Sequence, residues 1–266
     1  KMIKNISIIG AGNLTNSLLS AIKRVSNSYI IHLIDINKNK KSLAKKYNTS
    51  FSSNYTNSIL KSDLVCLVVK PKDYKSMLKE VNPFLSKKTI LLSFMAGITH
   101  DEIKDRIDEN ITVVRCMANL TIKNFKSYVF YFSKSLHKKN HKVLQDFFSQ
   151  FSKLKKCKVE DDIDKLTALY GSGPAYYVFY NQIIRESFIK LGYSQKDSRE
   201  YTNDLLEGSA LLIKENNNLD NIIDAVASKG GTTEAALLEF KKNKINKIFL
   251  KGIVNAYNKS KNILKK

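Results

Sequence analysis

Short runs of Ile, Val and Leu, separated by amphipathic stretches, dominate the first 160 residues, and few architectures accommodate that pattern. The runs fall at 6–9, 30–34, 64–69, 89–93 and 112–115. They show little polar alternation, as strands do when both faces of a parallel sheet are covered. The stretches between them, 13–24, 38–46, 74–81 and 99–107, carry helical spacing. Strand and helix in alternation predict an α/β fold, a doubly wound sheet with right-handed crossovers. A strand at 127–133 and a helix near 135–151 are expected to complete it. Beyond about residue 161 the strand-like runs stop. Helical periodicity continues through 174–191, 195–215, 218–227, 232–241 and 246–264. The expected division is a sheet domain over 1–160 and an all-helical domain over 161–266. Helices this rich in apolar positions bury two faces most readily by interlocking with a second copy, so a homodimer or larger homo-oligomer is expected.

Charge narrows the partners. The 266 residues hold 45 Lys and Arg against 24 Asp and Glu, a net charge of +21. These cations are scattered and interleaved with asparagine, as in Asn39-Lys40-Lys41 and Lys241-Lys242-Asn243-Lys244, rather than gathered on one face. No specific nucleic-acid partner is expected, although such a surface draws anionic ligands. No stretch approaches the roughly 18–20 apolar residues of a membrane helix, so no membrane partner is expected. The chain enters its first strand at once, without room for a signal or transit segment, and a cytoplasmic protein is expected. Cys66, Cys116 and Cys157 fit no metal spacing, and the first two sit in apolar runs as buried thiols. His137 and His141 share a helical face, but Lys138 and Lys139 between them would repel a metal ion, so no metal site is expected.

The first apolar run ends in Ile9-Gly10-Ala11-Gly12-Asn13-Leu14-Thr15. Gly10 permits a tight turn off the strand, and Gly12 lets the backbone approach a pyrophosphate at the positive end of the next helix. Gly10, Gly12, Asn13 and Leu14 are therefore expected against a dinucleotide in a Rossmann-type sheet. Thr15 stands where the pattern places a third glycine, at some loss of closeness between helix and sheet. Asp35 ends the second run, where a carboxylate takes the adenine ribose hydroxyls. Its charge repels a 2′-phosphate, whereas Lys38, Lys40 and Lys41 offset that repulsion, and both NADH and NADPH stay open.

Five further segments share one likeness. They are Val68-Val69-Lys70-Pro71, Ser93-Phe94-Met95-Ala96-Gly97-Ile98, Val114-Arg115-Cys116-Met117-Ala118-Asn119, Leu169-Tyr170-Gly171-Ser172-Gly173-Pro174 and Ser228-Lys229-Gly230-Gly231-Thr232-Thr233. In this order and spacing the chain resembles the pyrroline-5-carboxylate reductases, from the first strand to the last helix. The two helical segments are the specific ones, since other Rossmann dehydrogenases lack them.

The resemblance implies hydride transfer from NADPH or NADH to the C=N carbon of a small anionic cyclic imine, giving proline in the last step of its biosynthesis. It implies an all-helical C-terminal dimerisation domain. It places Lys70, Pro71, Ala96, Gly97 and Ser172 at the cofactor, and Asn119 at the cofactor or a loop backbone. It makes Ser228, Gly230, Gly231 and Thr232 a grip on the substrate carboxylate, with Glu215 near an acidic position one residue out of register. Thr233 resembles the threonine whose hydroxyl faces the imine nitrogen. With Gly231 as N-cap, Glu234 becomes the N3 residue of a capping box.

The sequence also departs from the family pattern. Ala118 replaces a proline, Leu120 a threonine, Tyr170 a small serine and Lys229 a proline. The first two bear on the cofactor loop. Tyr170 would crowd the cleft or fill a gap against a partner chain, and Lys229 sets a cation beside the carboxylate grip. Two other readings use the same fold. A reductase of a β-hydroxyacid or another imine normally carries a catalytic lysine on a helical segment, and none is found after residue 161. A non-catalytic dinucleotide-binding protein does not need Ser228, Gly230, Gly231 and Thr233.

Overall fold

The computed structural model describes residues 3–56, 58–216 and 218–264. The first part of the chain runs β1 (Asn5–Ile9), α1 (Asn13–Val25), β2 (Ile30–Ile34), α2 (Lys41–Lys46), β3 (Ser50–Ser52), β4 (Leu64–Leu67), α3 (Tyr74–Val81), β5 (Ile90–Ser93) and α4 (His100–Lys104). It continues through β6 (Thr112–Met117), β7 (Tyr128–Phe132), α5 (Lys138–Phe148), β8 (Lys153–Lys156) and α6 (Asp161–Leu166). Then come α7 (Gly173–Lys190), α8 (Gln195–Glu215), α9 (Leu219–Val226), α10 (Thr232–Lys242) and α11 (Ile245–Lys261).

The eight strands lie in the order β3-β2-β1-β4-β5-β6-β7-β8. Chain order reverses between β1 and β4, so a crevice opens at the carboxyl end of β1. Successive residues of a strand face opposite sides. Accordingly, Ile8 joins a core with Leu18, Leu19, Leu144 and Phe148 from α1 and α5. Its neighbour Ile9 joins a second core with Tyr74, Leu78 and Ile103 from α3 and α4. Both faces are covered, as the unbroken apolar runs require. Strand β7 is antiparallel to β6, and β8 is parallel to β7.

Sequence patterning missed β3 and β8, and these are the two edges of the sheet. An edge strand pairs on one side only and needs no apolar run. The sequence of β8, Lys-Leu-Lys-Lys, is mostly exposed, and exposed lysines on an edge discourage pairing with other chains.

The chain packs as two compact units. One runs through Ser172 and takes in the end of the chain from Ala256, and the other is Gly173–Asn255. Helix α6 lies in the first unit, although helical character begins with it. Inside the second unit, α7 and α8 are joined by Asn181 Nδ2 donating to the Thr202 carbonyl at 2.9 Å. Phe188, Tyr193 and Tyr201 pack edge to face there. Many large apolar side chains of this unit remain exposed in the single chain, among them Val178, Phe179, Leu205 and Leu250. Among the described residues, no helix is long and apolar enough to cross a membrane.

Candidate active site

At the end of β1, Gly10 takes φ +103°, and a Cβ there would stand 2.5 Å from the Val68 carbonyl oxygen. Only glycine lets β1 turn this close to β4. The Gly10 N–H donates to the Ile34 carbonyl at 2.8 Å, fixing the turn to β2 as well. Thr15 is fully buried, and its hydroxyl donates to the Gly10 carbonyl at 2.5 Å. The residue in place of a third glycine thus fastens the turn from below, a role its spacing did not signal.

Gly12 is different. It is the N-cap of α1 in ordinary extended backbone, and apart from its own chain neighbours no atom of the described residues lies within 4 Å of where its Cβ would be. No side chain caps α1, and no acidic residue lies in its first turn. The first-turn N–H groups, including those of Asn13 and Leu14, have no intrahelical acceptor. Open space over bare donors at the positive end of a helix suits a pyrophosphate.

Gly10, Gly12, Asp35 and Lys70 line one groove of about 500 Å³, together with Asn37, Lys40 and Tyr55. Asp35 accepts from the Ala11 N–H at 2.7 Å through one oxygen and from the Asn37 N–H at 2.8 Å through the other. The carboxylate predicted for the ribose therefore also locks the glycine turn. Burial, then the Glu80 and Asp35 carboxylates, raise the Tyr55 pKa, so its phenol stays a hydrogen-bond donor. Pro71 opens a short 3-10 turn after Lys70.

A second cavity, of about 270 Å³, is lined by Ala96, Cys116, Met117, Ala118, Thr167 and Ser172, among others. Helix α6 runs into a π-helical turn, Thr167–Gly171, closed by the Ser172 N–H donating to the Thr167 carbonyl at 3.0 Å. Such turns place residues off the regular helical register. A Cβ at Gly171 would stand 3.2 Å from the Met117 sulfur, so the turn lies against β6. Burial raises the Cys116 thiol far above its ordinary pKa and pushes Cys66 up to about 12. Both are neutral thiols and offer no nucleophile.

Asn119 is buried and holds backbone. Its amide donates to the Tyr170 carbonyl at 2.9 Å and accepts from the Thr121 N–H at 2.9 Å. Tyr170 does not crowd the cavity. It packs edge to face on Phe130 and Tyr128, and its hydroxyl accepts the Tyr128 N–H at 2.9 Å. Its bulk covers β7 rather than the cavity.

In the helical unit, α10 begins at N-cap Gly231. Gly230 takes φ +73°, and a Cβ on Gly231 would stand 2.6 Å from Ser228 Oγ. Ser228 is exposed and folded over the turn, and Thr233 is half-buried. No side chain caps the N–H groups that open α10 at Thr232 and Thr233. Glu234 does not close the predicted box. The Gly231 N–H is already donated to the Ser228 carbonyl at 2.9 Å, so the Glu234 carboxylate reaches the Gly230 N–H, at 2.6 Å. Glu215 is exposed at the last position of α8.

A mostly parallel sheet with a glycine turn at its switch point, followed by helices, defines an oxidoreductase of the Rossmann class that uses a nicotinamide dinucleotide. Residues 5–97 match the family model described as NADP oxidoreductase coenzyme F420-dependent. Residues 160–263 match the model described as pyrroline-5-carboxylate reductase dimerisation. The chain is 28% identical over 235 residues to the pyrroline-5-carboxylate reductase of Staphylococcus aureus (strain COL), covering 86% of each. It is 27% identical over 241 residues to that of Haemophilus influenzae, covering 89% of each. The fold is similar to that of Plasmodium falciparum pyrroline carboxylate reductase with NADP bound, with TM-score 0.88 at 22% identity over 98% of both chains. It is similar also to the Streptococcus pyogenes reductase, with TM-score 0.87 at 23% identity over 97% of this chain and 98% of that one. Together these matches support the pyrroline-5-carboxylate reductase family.

Proposed function

We propose that this protein reduces 1-pyrroline-5-carboxylate to L-proline, using NADH or NADPH. When bound, the reduced nicotinamide supplies the hydride to the imine carbon. Gly10, Gly12, Asn13 and Leu14 hold the pyrophosphate, and Asp35 binds the adenine ribose. Lys70 and Pro71 flank the cofactor, while Ala96 and Ser172 line the space for the flat ring; the room predicted at Gly97 is taken by the end of the chain, so Gly97 serves by letting its turn pack there. Asn119 serves by holding the loop backbone. The substrate carboxylate sits on the N–H groups that open α10, at Thr232 and Thr233, with the Ser228 hydroxyl beside it and Gly230 and Gly231 shaping the turn. Thr233 donates a hydrogen bond to the imine nitrogen, which takes up a proton as its carbon is reduced. Glu215 is assigned to the substrate side.

The observation that carries this reading is the bare helix start at Gly231, with a serine folded over it, inside the stretch that matches the reductase dimerisation model. In this reading residues 1–160 carry most of the contacts to the dinucleotide, with Ser172 added from beyond them, and the rest of 161–266 serves substrate and assembly. The exposed apolar side chains of the helical unit support a homodimer or larger homo-oligomer, and the cytoplasm is its proposed location. The test is loss of nicotinamide absorbance when NADH or NADPH is mixed with the cyclic imine and the protein. No loss with either dinucleotide sinks the assignment.

A further inference from the structure

The carboxylates at the start of α6 hold three separate elements. Glu160 accepts from Arg115 of β6 at 2.8 Å and from the His100 N–H, at the start of α4, at 2.6 Å. Asp164 accepts the Ser260 hydroxyl at 3.0 Å and a second Arg115 nitrogen at 3.5 Å. Asp161 accepts the Tyr257 hydroxyl at 2.7 Å and pairs with Lys261 at 3.0 Å. Arg115, Asp164 and Ser260 are 1%, 7% and 4% exposed, so this polar chain is sealed from water. Buried charges of this kind hold position firmly while every partner is present.

Ser260 also meets the opposite wall. Gly97 takes φ +66°, and a Cβ there would collide with the Ser260 carbonyl oxygen and stand 2.6 Å from Ile263 Cγ2. The turn after β5 is laid directly on the end of α11. Three walls of the 270 Å³ cavity therefore converge on one residue. The Ala96-Gly97 turn rests on its backbone. Arg115, one residue before the Cys116–Ala118 wall, is reached through Asp164. The Thr167–Ser172 wall continues directly from α6.

We infer that Ser260, with the last turn of α11, is a positioning residue for the cavity that receives the nicotinamide, though it touches no ligand itself. The identity of that ligand rests on the function proposed above; the positioning does not. The dinucleotide's pyrophosphate and adenosine are held at Gly10–Leu14 and Asp35, away from this anchor, so loosening it misplaces the ring more than it weakens binding. Small misplacements of reacting atoms are costly to turnover.

The test uses the full-length protein and its Ser260→Ala variant. Ser260→Ala is expected to speed amide hydrogen exchange at residues 94–98 and 167–172 while the rest of the sheet keeps its protection. The Kd for NADH, read by fluorescence, should stay within about twofold, while kcat falls about tenfold. Exchange that is unchanged at 94–98, or raised evenly across the chain, overturns the inference. Should Ser260→Ala not fold, Tyr257→Phe leaves Asp164 untouched and loosens the same turn, and exchange at 94–98 decides by the same criterion. If the unmodified protein oxidises neither dinucleotide with the imine, the proposed function fails, and the exchange and Kd measurements still judge the anchor.

Discussion

Helices α1 and α10 begin alike, each at a glycine N-cap with φ −86° and no capping side chain, two residues and one residue after a glycine of positive φ. What surrounds them differs. The Gly10 turn is gripped by Val68, Ile34, Thr15 and Asp35, which lie on or beside three different elements, β4, β2 and α1. The Gly230 turn is held by near neighbours alone, Ser228 and Glu234. At Gly12 the Cβ position is open, and at Gly231 it is filled by Ser228. The first turn is thus a rigid cradle with its space turned outward, shaped for a ligand met by backbone alone. The second carries its own polar side chain at the mouth, in keeping with the grip on a small anion proposed above.

Substitutions can break this contrast, beginning with the cradle. Gly12→Ala meets no protein atom, so the melting temperature should be unchanged while the Kd for NADH rises about a hundredfold, read by fluorescence titration. Gly231→Ala should do the reverse, lowering the melting temperature and leaving that Kd alone. An equal loss of stability in both variants would abolish the distinction. Thr233→Ala should reduce kcat by somewhat less than a hundredfold, with Thr233→Ser retaining most turnover. Equal kcat in Thr233→Ala and the unmodified protein would deny the hydroxyl its role. Ser228→Ala should raise the KM for the imine about tenfold at nearly constant kcat, the loss of one hydrogen bond to a charged group. Asp35→Ala frees the Ala11 N–H and should weaken both dinucleotides; the smallest effect expected here is on their ratio, with kcat/KM for NADPH over NADH moving up by a few-fold as a fixed negative charge leaves the groove.

Much of this was legible beforehand, for reasons that differ by element. The span of β2 at Ile30–Ile34 matches its apolar run, and α3 and α8 match their predicted ends, because buried strands and long amphipathic helices write their burial into the sequence. Edge strands β3 and β8 do not, since one half of their pairing and much of their surface face water. The glycine turns could be found because positive φ and close backbone approach select one residue type. Thr15 and Tyr170 could not be placed. A threonine hydroxyl and a phenol find whichever carbonyl or N–H lies nearest in the folded chain, and sequence spacing does not say which that is. Asn119 was expected at the cofactor or at a loop backbone, and the fold puts both sides of its amide on backbone and on Thr121.

The sequence by itself determined the alternation of strand and helix, the change to helix alone, the glycines that open α1 and α10, and the family. These are local matters of periodicity, backbone freedom and residue type. Tertiary structure alone decided that Asp35 locks the turn it follows, and that the acidic start of α6 gathers Arg115, His100 and Ser260 around one buried anchor. Those partners are far apart in the chain, and a carboxylate's partner is fixed by which donors the packed sheet and helices bring within about 3 Å.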